Sequence, residues 1–527
     1  MTKTDTMIQT EIDLSLIAWD DRAFVQQRLF CFPVEIQKLL LKAYLRKPTK
    51  FERNTYLRTT TEQIAAKLSV PVSQLELNLS EDDLREKAKH LAQSVFALRR
   101  QFLNDELALE TVRGFIRQQV ITPTENYSLH GEMGRYSDAK WWLRKLRKSL
   151  RRNIETVLHH LNQVNKKTSL YCSRLTLKAR IRQKAYQHEY LSNTFAVNEQ
   201  GQRFSLLELS QKGVSDPKIR KGELMVRARG FEELAQDLGH EATFLTITCP
   251  SKYHRSYSKS GDINPKWEGL TPLDGQAYLN KQWQLIRAKL NRLDIRFYGF
   301  RVAEPQHDGT PHWHLLLFVE KHQYQKMVDI MRDYALREDG DETGADKHRF
   351  TEVKIDPNKG SATGYIAKYI SKNIDGENLE CGIYGEDPLE AAARVDAWAA
   401  CWGIRQFQQL GGCSVTVWRE LRRLKDIMNL PERAKAIIEA ADKGDWKTYT
   451  QQMGGVFCER QAQVFKPYYE LSVDQTTGAV KTSQYCDNEL VRALKGVMTA
   501  GREFITRIFA WRIESGFAPS FNLEFCE

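Results

Sequence analysis

The sequence predicts an α+β protein, with a ferredoxin-like β-α-β-β-α-β core between helical N-terminal and C-terminal extensions. Three observations lead there. Short β-rich runs and helical stretches alternate between residues 241 and 380 in the split β-α-β order. Upstream, apolar residues such as Ile36, Leu39, Leu40 and Tyr44 fall at helical spacing. At 527 residues the chain is also too long for one ordinary core. The expected segments are 1–136 (helical, without a chemical motif), 137–240 (basic and helical), 241–380 (the core) and 381–527 (mostly helical).

A long helix is expected from Ser137, read as its N-cap, because Leu143, Leu146, Leu150, Ile154, Val157, Leu161 and Val164 form one apolar stripe. Arg144, Lys145, Arg147, Lys148, Arg151 and Arg152 lie largely off that stripe, so the helix can bury one side and present cations on the other. The Trp141–Trp142 pair suits core anchoring better than base stacking. A second helix spans 216–238 and ends near Gly239.

The core elements follow. A strand over 244–249 stops at Pro250, and a polar loop precedes a helix over 274–293. Strands over 295–304 and 312–320 flank a turn at Asp308-Gly309-Thr310-Pro311. A helix over 323–337, a short strand over 349–355 and a helix over 361–373 complete the order, with further helices over 388–409 and 416–428.

Charge is unevenly distributed. Residues 137–188 hold fourteen Lys/Arg and two acids, enough to account for the whole chain's net charge of +11, whereas 241–380 hold twenty of each sign. A basic stretch beside a balanced one suggests an arm that grips a polyanion next to a chemical core, the plain alternative being a solvated helix face. Nine scattered cysteines without a Cys-x-x-Cys pair favour reduced thiols and a cytoplasmic setting. The polar, acidic start (Asp5, Glu11, Asp13) is not a secretory signal, and no apolar run approaches the roughly 18 residues of a membrane span.

The strongest local feature is His312-Trp313-His314. Residues two apart on a strand share a face, so both imidazoles project together while Trp313 points away. Such a pair can share a divalent cation with a third ligand from a neighbouring strand. Glu304 would lie opposite His312 across the hairpin and is the preferred ligand, with His307 in reserve. An isolated His-x-His more often simply fills a sheet surface, and the ligand set alone does not choose among metals.

The second feature is Tyr365-Ile-Ala-Lys368-Tyr369-Ile-Ser-Lys372. Positions four apart share a helix face, so the phenols point the same way, with Lys368 and Lys372 on an adjoining stripe. A phenol of pKa about 10 needs help to act as a nucleophile near neutrality, which ammonium groups and a metal-activated phosphate would give. Taken alone, an aromatic core pair with exposed lysines is the better explanation of the helix. The two features together, in this element order, are much harder to obtain by chance.

With these motifs the chain resembles the HUH endonucleases, specifically the replication gene A proteins of temperate tailed phages and related rolling-circle initiators. The likeness rests on Phe244 through Ser251, Glu304 with His312 and His314, and Tyr365 through Lys372. Glu223 through Arg227 and Arg394 through Phe407 extend it over residues 220 to 425. The resemblance implies a site- and strand-specific nickase for single-stranded or melted origin DNA that forms a 5′-phosphotyrosyl link. One tyrosine would open the origin and the other would resolve the regenerated one. Mg²⁺ or Mn²⁺ on His312, His314 and Glu304 is then expected, with Lys368 and Lys372 neutralising developing charge.

Single-stranded or supercoiled origin DNA and a host helicase with its replication machinery are the expected partners, since no Gly-x-x-x-x-Gly-Lys-Ser/Thr phosphate loop is present. The cations of residues 144–152 would grip the DNA backbone, and Tyr253, Tyr257 and Trp267 could stack on bases or simply pack. Two rival readings are a two-tyrosine single-strand transposase and a non-catalytic metal-containing DNA-binding regulator.

Overall fold

Gly239 sets the entrance to the central sheet. It caps helix α1 (Pro217–Leu238) in the left-handed conformation at φ 64°, and the chain passes directly into strand β1 (His240–Thr248). The computed structural model describes residues 13–124, 127–377, 384–424, 430–474 and 477–516. The expectations for Asp5, Glu11, residues 378–380, the end of the 416–428 helix and the last eleven residues fall outside these. The chain is α+β and divides into two compact units.

One unit runs to Leu161 and includes Thr482–Glu489. It is built of helices from Trp19–Leu29 through Ala139–His160, as the apolar spacing predicts. Reciprocal capping boxes at Thr49/Glu52 and Ser80/Asp83 fix two of their starts. The basic helix begins at Ala139, one residue later than an N-cap at Ser137 implies, because the Asp138 carboxylate caps it by accepting from the Lys140 N–H at 2.8 Å. Trp141 and Trp142 are buried in this unit, and the Trp142 indole donates to the Tyr136 carbonyl at 2.7 Å. They anchor the core and do not present stacking faces.

The other unit holds Asn162–Lys481 and the strands after Leu490. Its centre is a five-stranded antiparallel sheet in the order β4-β1-β3-β2-β5. The strands are β1, β2 (Phe297–Pro305), β3 (Pro311–Glu320), β4 (Phe350–Lys354) and β5 (Phe407–Leu410). Helix α2 (Pro272–Arg292) joins β1 to β2, α3 (Tyr324–Leu336) joins β3 to β4, and α4 (Ala362–Ile374) follows β4. The expected sequence of core elements is present, each end within a few residues.

Both sheet faces are covered. Trp313, Leu315, Leu317 and Val319 of β3 pack with α2, α3 and α5 (Pro388–Trp402), while Leu316 and Phe318 pack with α1 and α4. Each fully buried leucine contributes about 2 kcal/mol of hydrophobic stabilisation. Gly299 of β2 has φ 147°, and a Cβ there would lie 1.9 Å from the Leu316 carbonyl oxygen. That close approach of β2 to β3 requires glycine.

Three expectations are corrected. The helix expected over 388–409 stops at Trp402, where Gly403 turns left-handed at φ 70°, and Phe407–Leu410 becomes the fifth strand, pairing with residues 299–302. The basic segment is not wholly helical, because Thr194–Asn198 pairs with Arg203–Ser205 on one side and with Trp511–Ser515 on the other. The C-terminal region is not mostly helical, since Lys466–Leu471, Arg492–Thr499 and Arg502–Ile505 form a three-stranded sheet. In that sheet a register shift at Leu494/Gly496 brings Gly496 within reach of the Phe504 carbonyl, which leaves no room for a side chain. Among the described residues no helix is long and apolar enough to cross a membrane.

Candidate active site

The β2–β3 hairpin closes through Gly309 (φ 83°), with the Gln306 N–H donating to the Thr310 carbonyl at 2.8 Å. This short turn fixes the register, so Glu304 pairs with His312 and Val302 with His314. On the other flank β1 sets Thr248 against His312 and Thr246 against His314. Alternation along β3 then sends both imidazoles to one face, while Trp313 goes to the other and donates its indole N–H to Gln276 at 3.1 Å.

Ligand atoms of Glu304, His312 and His314 all lie within 4.8 Å of one another, the one such grouping of His, Cys, Asp and Glu among the described residues. The two Nε2 atoms are 2.9 Å apart, and His314 Nε2 is 3.7 Å from Glu304 Oε2. Thr246 Oγ1 lies 2.9 Å from His314 Nδ1, the contact that orients a metal-binding imidazole when Nδ1–H is the donor. His312 Nδ1 is buried without a hydrogen-bond partner.

Electrostatics suit a cation. Burial alone would raise the Glu304 carboxyl, but the Lys372 ammonium and the two imidazoles hold it well below the usual carboxylate range. Burial, with His314 adding to it against the pull of Glu304, pushes the His312 imidazole well below its ordinary value. A neutral imidazole and an ionised carboxylate are the ligand states a divalent metal needs. The donor set therefore fits a hard or borderline divalent ion.

Helix α4 is capped by Ser361, whose hydroxyl accepts from the Gly364 N–H, and carries both tyrosines over this face. The Tyr369 ring is 4.1 Å from His314, centroid to centroid, and stacks on Phe244 at 5.0 Å. Tyr365 reaches the same Phe244 ring at 6.1 Å and is 42% exposed, open to a large substrate. Burial, reinforced by Glu304, pushes the Tyr369 phenol up to about 12. The imidazole and phenol couples thus converge on one sheet face.

The lysines separate. Lys368 is exposed, whereas Lys372 is buried with its Nζ 3.1 Å from Glu304 Oε2. Lys372 therefore neutralises the carboxylate and not, in this arrangement, a phenolate. Sequence reasoning missed Asn373, which donates to Glu304 Oε1 and, at 2.7 Å, to the Tyr369 carbonyl, so one amide ties the tyrosine helix to the carboxylate. It also missed Thr246. The signal for Thr246 was available, because period-two alternation puts Phe244, Thr246 and Thr248 on one face of β1.

Other candidates lie elsewhere. His307 is buried with Nε2 on the Ser256 carbonyl (3.1 Å) and hydroxyl (3.3 Å), outside the three-ligand group. Tyr253 packs against Tyr278 at 5.2 Å and the Trp267 indole donates to Leu270, while Tyr257 remains exposed. In the first unit, Arg144 and Lys148 are exposed, and Lys145, Arg147, Arg151 and Arg152 are partly buried. Arg147 binds the buried Glu81 carboxylate, Arg144 reaches the Tyr485 hydroxyl at 3.3 Å, and Lys145 lies over Trp141.

Comparison with known proteins agrees with the motifs. The family model described as bacteriophage replication gene A protein matches residues 54–377, starting well before the 220–425 span of the resemblance. The replication gene A protein of Escherichia phage 186 is 40% identical over 428 residues, 76% of this chain and 60% of that protein. The replication protein of Haemophilus phage HP1 is 40% identical over 343 residues, 63% of this chain and 43% of its own length. A probable replication endonuclease from a prophage-like region of Salmonella paratyphi A is 34% identical over 383 residues, 69% of this chain and 47% of its own. The chain thus spans about half the length of these relatives. No solved structure matches. With 324 of its residues inside the family match, the chain belongs to the bacteriophage replication gene A protein family.

Proposed function

We propose that this chain nicks and rejoins one strand of origin DNA through a tyrosine-linked intermediate, and so initiates and terminates rolling-circle replication. The observation that carries the reading is the 4.1 Å approach of the Tyr369 ring to His314, one of three convergent ligand groups. We read strands β4-β1-β3-β2 with their helices as a ferredoxin-like HUH core over residues 241–380, with β5 added at one edge. Relatives named as replication gene A proteins and replication endonucleases support the same assignment.

His312, His314 and Glu304 would hold Mg²⁺ or Mn²⁺. When bound, such an ion supplies Lewis-acid polarisation of a non-bridging phosphate oxygen. The chain's own residues do the rest. A phenol oxygen of Tyr365 or Tyr369 attacks the scissile phosphorus as its proton leaves. The bond to the 3′ oxygen breaks, and that oxygen takes up a proton. The DNA 5′ end remains on the tyrosine, and the exchange of one phosphodiester for another keeps the bond energy for rejoining. Phe244, packed against both tyrosine rings, holds the two nucleophiles in one site, as alternate opening and closing requires. Lys372 and Asn373 keep Glu304 charged and oriented, and Lys368 is the lysine exposed for phosphate contact. Cations of the Ala139–His160 helix serve as a backbone grip, chiefly the exposed Arg144 and Lys148.

Incubation with single-stranded origin DNA and Mn²⁺ tests the proposal. A protein–DNA adduct stable to denaturant is expected, and EDTA should abolish it. Cleavage that leaves no adduct, or that proceeds undiminished in EDTA, contradicts it.

A further inference from the structure

Beside the sheet's edge strand β5 lies a groove of about 1340 Å³, bounded also by α1, the C-terminal half of α2 and residues 456–469. Seven arginines and no lysine line it, against two glutamates, Glu223 and Glu459. Arg227 and Arg419 hold Glu223 between them, at 3.4 and 2.7 Å. The other five, Arg220, Arg287, Arg296, Arg405 and Arg460, form no ion pair among the described residues. Seven arginines against two carboxylates, five of them outside any ion pair among the described residues, stand out beside a core whose acids and bases balance.

Two further features narrow the ligand. Tyr469 is 48% exposed on the groove wall, and Phe457 lies under Arg296 at 4.8 Å, a cation–aromatic pair of the kind that stacks on unpaired bases. The wall of the groove is also linked by hydrogen bonds to the candidate active site. Arg405 on its wall precedes Gln406, whose carbonyl accepts from the Ala303 N–H at 2.8 Å, next to Glu304. The Gln406 amide donates to Asn373, which holds the Glu304 carboxylate.

We infer that this groove is a track for single-stranded DNA, gripping the backbone through its arginines and delivering the strand past Arg405 to Glu304 and the tyrosines. The sequence offered the basic 137–188 segment as the polyanion grip, and this track is separate from it. The nicking reading enters only in naming DNA as the polyanion.

The test is fluorescence anisotropy with the full chain, a labelled single-stranded oligonucleotide and EDTA, comparing the wild type with Arg287→Gln, Arg296→Gln, Arg405→Gln combined. These three side chains are exposed, so the fold should tolerate the change. Affinity should fall roughly tenfold or more at 0.1 M salt, and the slope of log K against log salt should become shallower by about two, given ~0.7 per single-strand phosphate. Unchanged affinity and slope overturn the inference. So does competition by polyglutamate as effective as that by unlabelled oligonucleotide, which would mark an acidic-peptide site. A second readout needs no variant: a 5-bromouracil oligonucleotide should photocross-link to peptides containing Phe457 or Tyr469, and cross-links confined elsewhere contradict the track. Binding that weakens as expected while the wild type forms no adduct with Mn²⁺ would remove the nicking reading and leave the groove standing.

Discussion

The aromatic ring of Tyr369 sits 4.1 Å from that of His314, although the two residues are 55 positions apart and come from a helix and a strand. Their approach follows from two periodicities. The strand presents every second residue and the helix every fourth, so each motif offers a pair of like groups, and packing of α4 on the sheet brings the pairs together. The proposed chemistry depends on this juxtaposition.

His314→Ala should weaken Mn²⁺ binding at least tenfold, read by electron paramagnetic resonance of free Mn²⁺. Thr246→Val keeps the shape of β1 and removes the hydroxyl on His314 Nδ1, so it should cost about 10–100-fold in affinity with little change in melting temperature. Wild-type affinity in both variants would mean that the ligand group holds no metal.

Lys372→Ala leaves the fully buried Glu304 without its ammonium partner. The metal-free protein should lose about 3–5 kcal/mol in urea denaturation, and Mn²⁺ should recover part of that loss. The sign of the pH dependence follows from the depressed Glu304 carboxyl. Its stabilisation is complete above the unfolded value near 4.5 and is lost as pH falls below it. Unchanged stability in the variant would place Lys372 on substrate instead.

The Tyr369 phenol, raised to about 12 by burial and by Glu304, should be missing from the phenols that ionise near pH 10. The difference in ultraviolet titration between metal-free wild type and Tyr369→Phe shows this directly. Because the folded state favours the neutral phenol, its contribution to stability is present below pH 10 and declines as pH rises past it. A difference spectrum centred at 10 would contradict the burial of this side chain.

The cations of the first unit should divide by environment. Lys148→Ala, at an exposed position, should lower DNA affinity without shifting the melting temperature. Arg147→Ala should lower the melting temperature, because it removes one of the two arginines that pair with the Glu81 carboxylate, which is 3% exposed, and leaves it only Arg85 at 3.4 Å. If Lys148→Ala binds DNA as the wild type does, the helix is not a backbone grip.

Much of this geometry was legible in the sequence for definite reasons. Asp216 and Gly239 marked the ends of α1 because caps and left-handed glycines carry local chemistry. Glu304 could be set opposite His312 because a short turn and period-two alternation leave one register. The role of Lys372 was not legible. Its spacing puts it beside the tyrosines, and only the packing of α4 decides whether it faces solvent or the carboxylate. Strand β5 was hidden because Phe407-Gln-Gln-Leu410 lacks β-branched residues and continues a helix-like pattern, so its pairing with β2 is a tertiary effect. The C-terminal strands were hidden likewise, since their register depends on distant partners such as Thr194–Asn198.

Peptide mapping of the covalent DNA adduct by mass spectrometry tests the tyrosine-linked chemistry most directly. Nucleotide mass is expected on the peptide carrying Tyr365 and Tyr369. No adduct is expected from the Tyr365→Phe, Tyr369→Phe double variant, which should still bind the oligonucleotide. An adduct on any other residue, or one undiminished in the double variant, would contradict that chemistry.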